Sequence, residues 1–247
     1  MSALAIHLGV NRCAPRSFRV GPRSLARAEH DARALAAMTT RAGLTATTLL
    51  GEDATRPRLL AALADAAAAP PGSLVVLTFS GHGAQLRDVA PDARRPRPAT
   101  ARNRHVGDEP DGLDELWCLH DGVMLDDELS QLLAGFARGV RVLVITDACH
   151  SGSMLDGGDD DARPPAQRHC EIAASVIHFG ACADDEVTYD SVFVDAIAAT
   201  WADGQFAGGH RAFLASVAAA IADRQVPVFS TIGPPDPVFE AQRPFTP

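Results

Sequence analysis

The chain has 247 residues, 47% of them hydrophobic, and a formal net charge of −9 at neutral pH. That length and apolar share are enough for a buried core and exclude a disordered chain. The acidic balance excludes a general nucleic-acid binder, which needs a basic face. All 22 basic residues are arginine, a usage in keeping with a GC-rich bacterial genome. No stretch reaches the roughly 18 apolar residues of a membrane span, and MSALAIHLGV lacks the positive start of a secretory signal. Five cysteines (Cys13, Cys118, Cys149, Cys170 and Cys182) form an odd set without metal-type spacing. They point to a reduced, cytoplasmic compartment and to reactive rather than structural thiols.

The chain opens with the strand-like run Ala3–Gly9. A helix is predicted from Ser24 to Arg41, with Leu25, Ala28, Ala32, Leu35 and Met38 on one face at helical spacing. Thr45–Leu50 reads as a short strand. Thr55, with Pro57 in the first turn, opens a second helix that ends before Pro70-Pro71-Gly72. The strand Leu74–Phe79 then runs into Ser80-Gly81-His82-Gly83. Residues 84–125 read as irregular, a basic, Pro-rich half followed by an acidic one. The third helix starts at Asp126-Asp127-Glu128, carboxylates that suit a helix N-terminus, and carries Leu129, Leu132, Leu133 and Phe136. Val140–Thr146 is a strand that stops in DACHSG, residues 147–152. After a polar loop come a strand over Ile172–Ala181, a helix near 209–223 and a last strand around Val226–Ile232.

Alternating strands and helices, with strands apolar throughout, predict a parallel sheet covered on both faces. Ligands of such sheets bind outside the carboxyl ends of the strands. His82 and Cys149 both fall there, each in a glycine-flanked loop. A thiolate is a nucleophile, and an imidazole can take its proton and later protonate a leaving amine. His82 is the better base than His150, because adjacent residues leaving a strand point opposite ways. Backbone N–H groups of Gly83 and Cys149 are candidates for an oxyanion hole. Two other chemistries fit poorly. A cysteine phosphatase needs an arginine six positions after the cysteine, where Leu155 stands, and no four ligands cluster for zinc.

SGHG followed by DACHSG resembles the caspase-like cysteine peptidases, specifically the metacaspase and bacterial orthocaspase branch. The likeness runs nearly end to end. RAEHDARAL (27–35) is similar to the segment before the family's first long helix, and GLDE and LDDEL (112–115 and 125–129) to its acidic loop. GGHRAFLASV (208–217) and FEAQRPF (239–245) are similar to its Gly-Ala-Phe-Thr and Gln-Lys-Pro-Phe segments.

The resemblance implies an α/β chain with the caspase-like αβα three-layer sandwich and a mostly parallel central sheet. It implies one peptidase domain over 1–247, with a large-subunit-like part to about residue 160, a small-subunit-like part from about 170, and a basic insert at 86–107. His82 and Cys149 fall on the catalytic dyad. Asp31, Ser80 and Asp147 fall on the pocket for the residue before the scissile bond. Carboxylates there favour a cation and can meet Arg bidentately, so the expected substrates are proteins or peptides with Arg or Lys at the cut. Asp114, Asp126, Asp127 and Asp156 match calcium-binding positions and are hard oxygen ligands. Asp126 and Asp127 also read as helix-capping residues, and Asp156 as a solvated loop acid. No organic cofactor, nucleic acid or membrane partner is expected, and the family leans to monomers. The loop after Cys149 offers two self-cleavage sites, of which Arg168 is favoured because Pro164 follows Arg163. His7 stands where the family has a small residue. The rival reading is a catalytically silent caspase-like module that binds or regulates a partner, against which the intact Cys and His both speak.

Overall fold

The computed structural model describes residues 2–14, 23–87, 113–149, 171–182 and 191–247. In chain order its first half holds β1 (Ala3–Gly9), α1 (Ala28–Arg41), β2 (Thr45–Leu50), α2 (Arg56–Ala67), β3 (Leu74–Ser80), β4 (Gly83–Arg87), β5 (Leu113–Cys118), β6 (Val123–Leu125) and α3 (Asp126–Leu133). The second half holds β7 (Arg141–Asp147), β8 (Ser175–Gly180), α4 (Val192–Trp201), α5 (His210–Ala220), β9 (Val228–Ile232) and α6 (Pro237–Ala241).

The central sheet has the order β2-β1-β3-β7-β8-β9. Its first five strands run parallel and β9 closes the edge antiparallel to β8. β3, at the middle, is buried along its whole length, which is why LVVLTFS carries no polar alternation. Period-two alternation divides its neighbours between two cores. Ile6, Leu8, Val75, Leu77, Val142 and Val144 face α2 and α3. Ala5, Val76, Leu143, Ile145, Ile177 and Phe179 face α1, α4 and α5. The result is the three-layer αβα arrangement with a mostly parallel sheet.

Several boundaries differ from the sequence reading. α1 begins at Ala28 rather than Ser24, because the residues before it are drawn off by other contacts, with Leu25 N–H bonded to Asn11 O at 2.8 Å. The strand read over 172–181 is confined to Ser175–Gly180. The largest correction is at 84–125, read as irregular. Its described parts form a three-stranded antiparallel sheet, β4-β5-β6, with Gly83 opposite Trp117 and Leu116 opposite Leu125. GAQLR and LDELWC lack the β-branched residues by which strands are recognised, and their pairing across a long insert is non-local. α4 has no counterpart in the sequence reading. VFVDAIAATW is apolar on most of its circumference, so it shows no amphipathic stripe.

Candidate active site

β3 and β7 lie side by side, and their last residues, Ser80 and Asp147, are register partners. Both are buried. The loops that follow are held close, with Gly81 N–H donating to Asp147 O at 3.2 Å. Gly83 is required for space: a Cβ there would lie 1.9 Å from the carbonyl oxygen of Cys149. The histidine loop is braced from behind by the small sheet. Phe79 stacks on Trp117 with ring centroids 4.7 Å apart, and Cys118 N–H donates to His82 O at 2.9 Å.

A cavity of about 170 Å³ opens at this point. His82 and Cys149 line it together with Asp31, Ser80 and Asp147, so the five residues singled out for the dyad and the pocket converge from α1, β3 and β7. Ser80 Oγ is buried and makes no hydrogen bond among the described residues, which leaves a polar atom to be met by whatever enters. Burial raises the Asp31 carboxyl above its ordinary value, while hydrogen bonds from Ser191 and His30 and the charges of Arg27 and His30 pull the other way. A larger hollow of about 430 Å³ lies under α2 against β1 and β2, and its lining has no thiol or imidazole.

Two contributors escaped the sequence reading. His82 Nε2 lies 2.6 Å from the carbonyl oxygen of Arg23. A carbonyl only accepts, so Nε2–H donates to it, and in the neutral ring the free lone pair is on Nδ1. Arg23 acts through its backbone, which no side-chain pattern reveals. Ser191, the residue before α4, lines the cavity as well and donates its hydroxyl to Asp31. The serine is preceded by an Asp-rich stretch in a part of the chain that shows no periodicity, so nothing marked it out.

The thiols divide by environment. Cys13, Cys118 and Cys182 are buried, and Cys149 is partly exposed. Burial pushes the Cys13 thiol up to about 11. Burial, helped by Cys13 and Cys149, pushes Cys118 up to about 12. At neutral pH those two remain thiols.

Asp114 stands on β5, and Asp126 and Asp127 open α3; all three are buried. Asp126 Oδ1 accepts the Asp127 N–H at 2.8 Å, and Glu128 is paired to Arg56 at 2.6 Å, so this cluster also serves the helix N-terminus. The donor set, carboxylates only, suits a hard cation. Among the described residues no group of three or more acidic, His or Cys side chains converges to hold a metal ion, and the fourth expected ligand, Asp156, lies outside them. His150, Cys170, Arg163 and Arg168 and most of the 86–107 insert also lie outside the described residues.

The parallel sheet, the layers on both faces and the residues gathered at its carboxyl edge define the class: a caspase-like cysteine peptidase fold. The family model described as the caspase domain matches residues 15–239, and the chain belongs to that family. Metacaspase-1 of Arabidopsis thaliana is 30% identical over 149 residues, 53% of this chain and 36% of that protein. Metacaspase-1 of Plasmodium falciparum is 29% identical over 135 residues, 49% of this chain and 19% of that protein. The matched stretch is thus a fifth to about a third of the length of these relatives. Among solved structures, a Geobacter sulfurreducens protein from a structural genomics effort is 32% identical, with a TM-score of 0.79 over 100% of this chain and 99% of that one. Caspase-1 of Spodoptera frugiperda shares the fold at 14% identity, with a TM-score of 0.54 over 92% and 85% of the two chains. No helix among the described residues is long and apolar enough to cross a membrane.

Proposed function

We propose that the protein is a cysteine endopeptidase that cuts after arginine or lysine. The observation that carries this reading is the single cavity in which Asp31, Ser80 and Asp147 stand beside His82 and Cys149. His82 Nδ1 takes the Cys149 proton, and the thiolate attacks the scissile carbonyl carbon. The oxyanion is met by the N–H groups of Gly83 and Cys149. The imidazolium returns its proton to the leaving amine, and water then hydrolyses the thioester with His82 again as base. Upstream, the substrate's guanidinium or ammonium enters between two carboxylates in a site that excludes most water, where charge-assisted hydrogen bonds are strongest. The Ser80 hydroxyl has its full hydrogen-bonding capacity for that cation's neighbours.

Calcium is proposed as an activator held by Asp114, Asp126, Asp127 and Asp156. It would compensate carboxylates crowded at the start of α3. Self-cleavage is proposed after Arg168, in preference to Arg163. The test is hydrolysis of peptide reporters ending in Arg, Lys, Asp or citrulline. Arg and Lys reporters should turn over fastest, and Asp31→Asn or Asp147→Asn should reduce kcat/KM on them by at least tenfold. A preference for Asp, or equal rates on Arg and uncharged citrulline, would refute the acidic-pocket reading.

A further inference from the structure

Ser191 enters the cavity from the part of the chain after residue 170, which supplies none of the expected site residues. Its hydroxyl lies 2.7 Å from Asp31 Oδ1 and 2.6 Å from Asp31 Oδ2. One proton shared between both oxygens leaves the remaining lone pairs of the carboxylate available to a ligand. Ser191 is 2% exposed, so this bond is made out of water. The backbone at Ser191 is left-handed, with φ 64° and ψ −1°, a conformation that is costly for any residue with a Cβ. Glycine would serve the turn more cheaply. A serine kept there despite the strain points to its hydroxyl.

Building on the proposed function, we propose that Ser191 is a positioning residue for specificity: its hydroxyl holds the Asp31 carboxylate turned toward the cation of the residue before the scissile bond. The groups around Asp31 explain why one hydroxyl matters. On α1, His30 Nδ1 is 3.3 Å from Asp31 Oδ1 but its side chain is 62% exposed. Arg27 is drawn toward Asp195 of α4, 3.2 Å away. Across the cavity stand Asp147, which disfavours a second negative charge, and His82 and Cys149. Ser191 is the buried donor to Asp31 in this set. Without it, desolvation pushes Asp31 toward its neutral form, which cannot pair with a guanidinium. Since the lost bond stabilises the ionised form, its removal displaces the acid limb of the activity profile to higher pH.

The experiment compares the full chain with Ser191→Ala, Ser191→Gly, Asp31→Asn and Ser191→Ala/Asp31→Asn, on reporters ending in Arg and in citrulline, across pH. Both Ser191 variants should raise KM for the Arg reporter about tenfold, equivalent to about 1.4 kcal/mol, and leave the citrulline reporter nearly unchanged. Their acid limb should move to higher pH, and Ser191→Ala should add no further loss to Asp31→Asn. Ser191→Gly relieves the left-handed strain and so carries the test if the alanine variant folds poorly. Wild-type KM in Ser191→Gly, or equal losses on both reporters with an unmoved acid limb, would overturn the proposal while leaving the peptidase reading intact. A wild type that does not distinguish Arg from citrulline would overturn both.

Discussion

Acid should destabilise this protein through its buried histidines, and His7 shows why. It sits at 0% exposure on the α1 side of the sheet, with Nε2 2.8 Å from Thr39 Oγ1 and Nδ1 2.9 Å from Thr78 Oγ1. Thr39 donates its own proton to the α1 backbone, so it accepts from Nε2–H, and Nδ1 accepts from Thr78. The neutral ring is satisfied on both sides, and a second ring proton would have no counter-ion. Burial lowers His7 from 6.5 to about 4. His178, between Thr146 and Ser230, falls to about 3, and His210 to about 4. In the unfolded chain each returns to about 6.5. The unfolded state therefore binds more protons below that value, and stability is complete above about pH 6.5 and is lost as pH falls toward the folded values. At pH 5 the loss is about 2 kcal/mol for each ring, or about 6 kcal/mol for three, against a typical total of about 5–15 kcal/mol. Asp31, whose carboxyl is raised, works in the opposite sense and trims the loss at still lower pH. Urea unfolding followed by far-ultraviolet circular dichroism at pH 7, 6 and 5 reads the effect. His7→Gln, which keeps hydrogen bonding but cannot be charged, should flatten the fall between pH 6 and 5 by about 1.2 kcal/mol. An unfolding free energy independent of pH over this range, or an unchanged slope in His7→Gln, would refute the reasoning.

Other outcomes follow from the site. Cys149→Ala should abolish hydrolysis with the fold intact, and iodoacetamide should label Cys149 before Cys13, Cys118 and Cys182, which are buried; labelling by peptide mass mapping checks the order. His82→Ala should lower kcat by at least a hundredfold, as expected for removal of a general base, whereas His150→Ala should be far milder. A reversed order in the same assay would move the base to His150. Chelation of calcium should lower turnover, and Asp126→Ala with Asp127→Ala should remove the response; full activity in strong chelator would leave those carboxylates as helix-capping groups. Incubated active protein should yield fragments meeting at Arg168 and His169, read by mass spectrometry of the new termini, and Cys149→Ala should not produce them.

Much of this protein is local enough to be visible in its sequence. LVVLTFS and RVLVITD are almost wholly buried and mainly apolar because each runs down the middle of a two-sided sheet, and Gly83, in the loop after the first, marks where the backbone passes too close to that of Cys149 for a Cβ. Those signals are enough to locate His82 and Cys149 at one edge, and motif likeness adds Asp31, Ser80 and Asp147. What the tertiary structure decided is non-local. β4 finds β5 across a long insert, through two segments without a β-branched residue. α4 is buried on most sides and so shows no polar face. Arg23 orients His82 through a carbonyl oxygen that every residue possesses. Ser191 reaches Asp31 across 160 positions of chain, from a left-handed turn that its own neighbours do not announce. Residue type and short-range period report what a segment buries. Which backbone oxygen or which distant hydroxyl meets a catalytic group depends on how the layers pack, and that is written only in three dimensions.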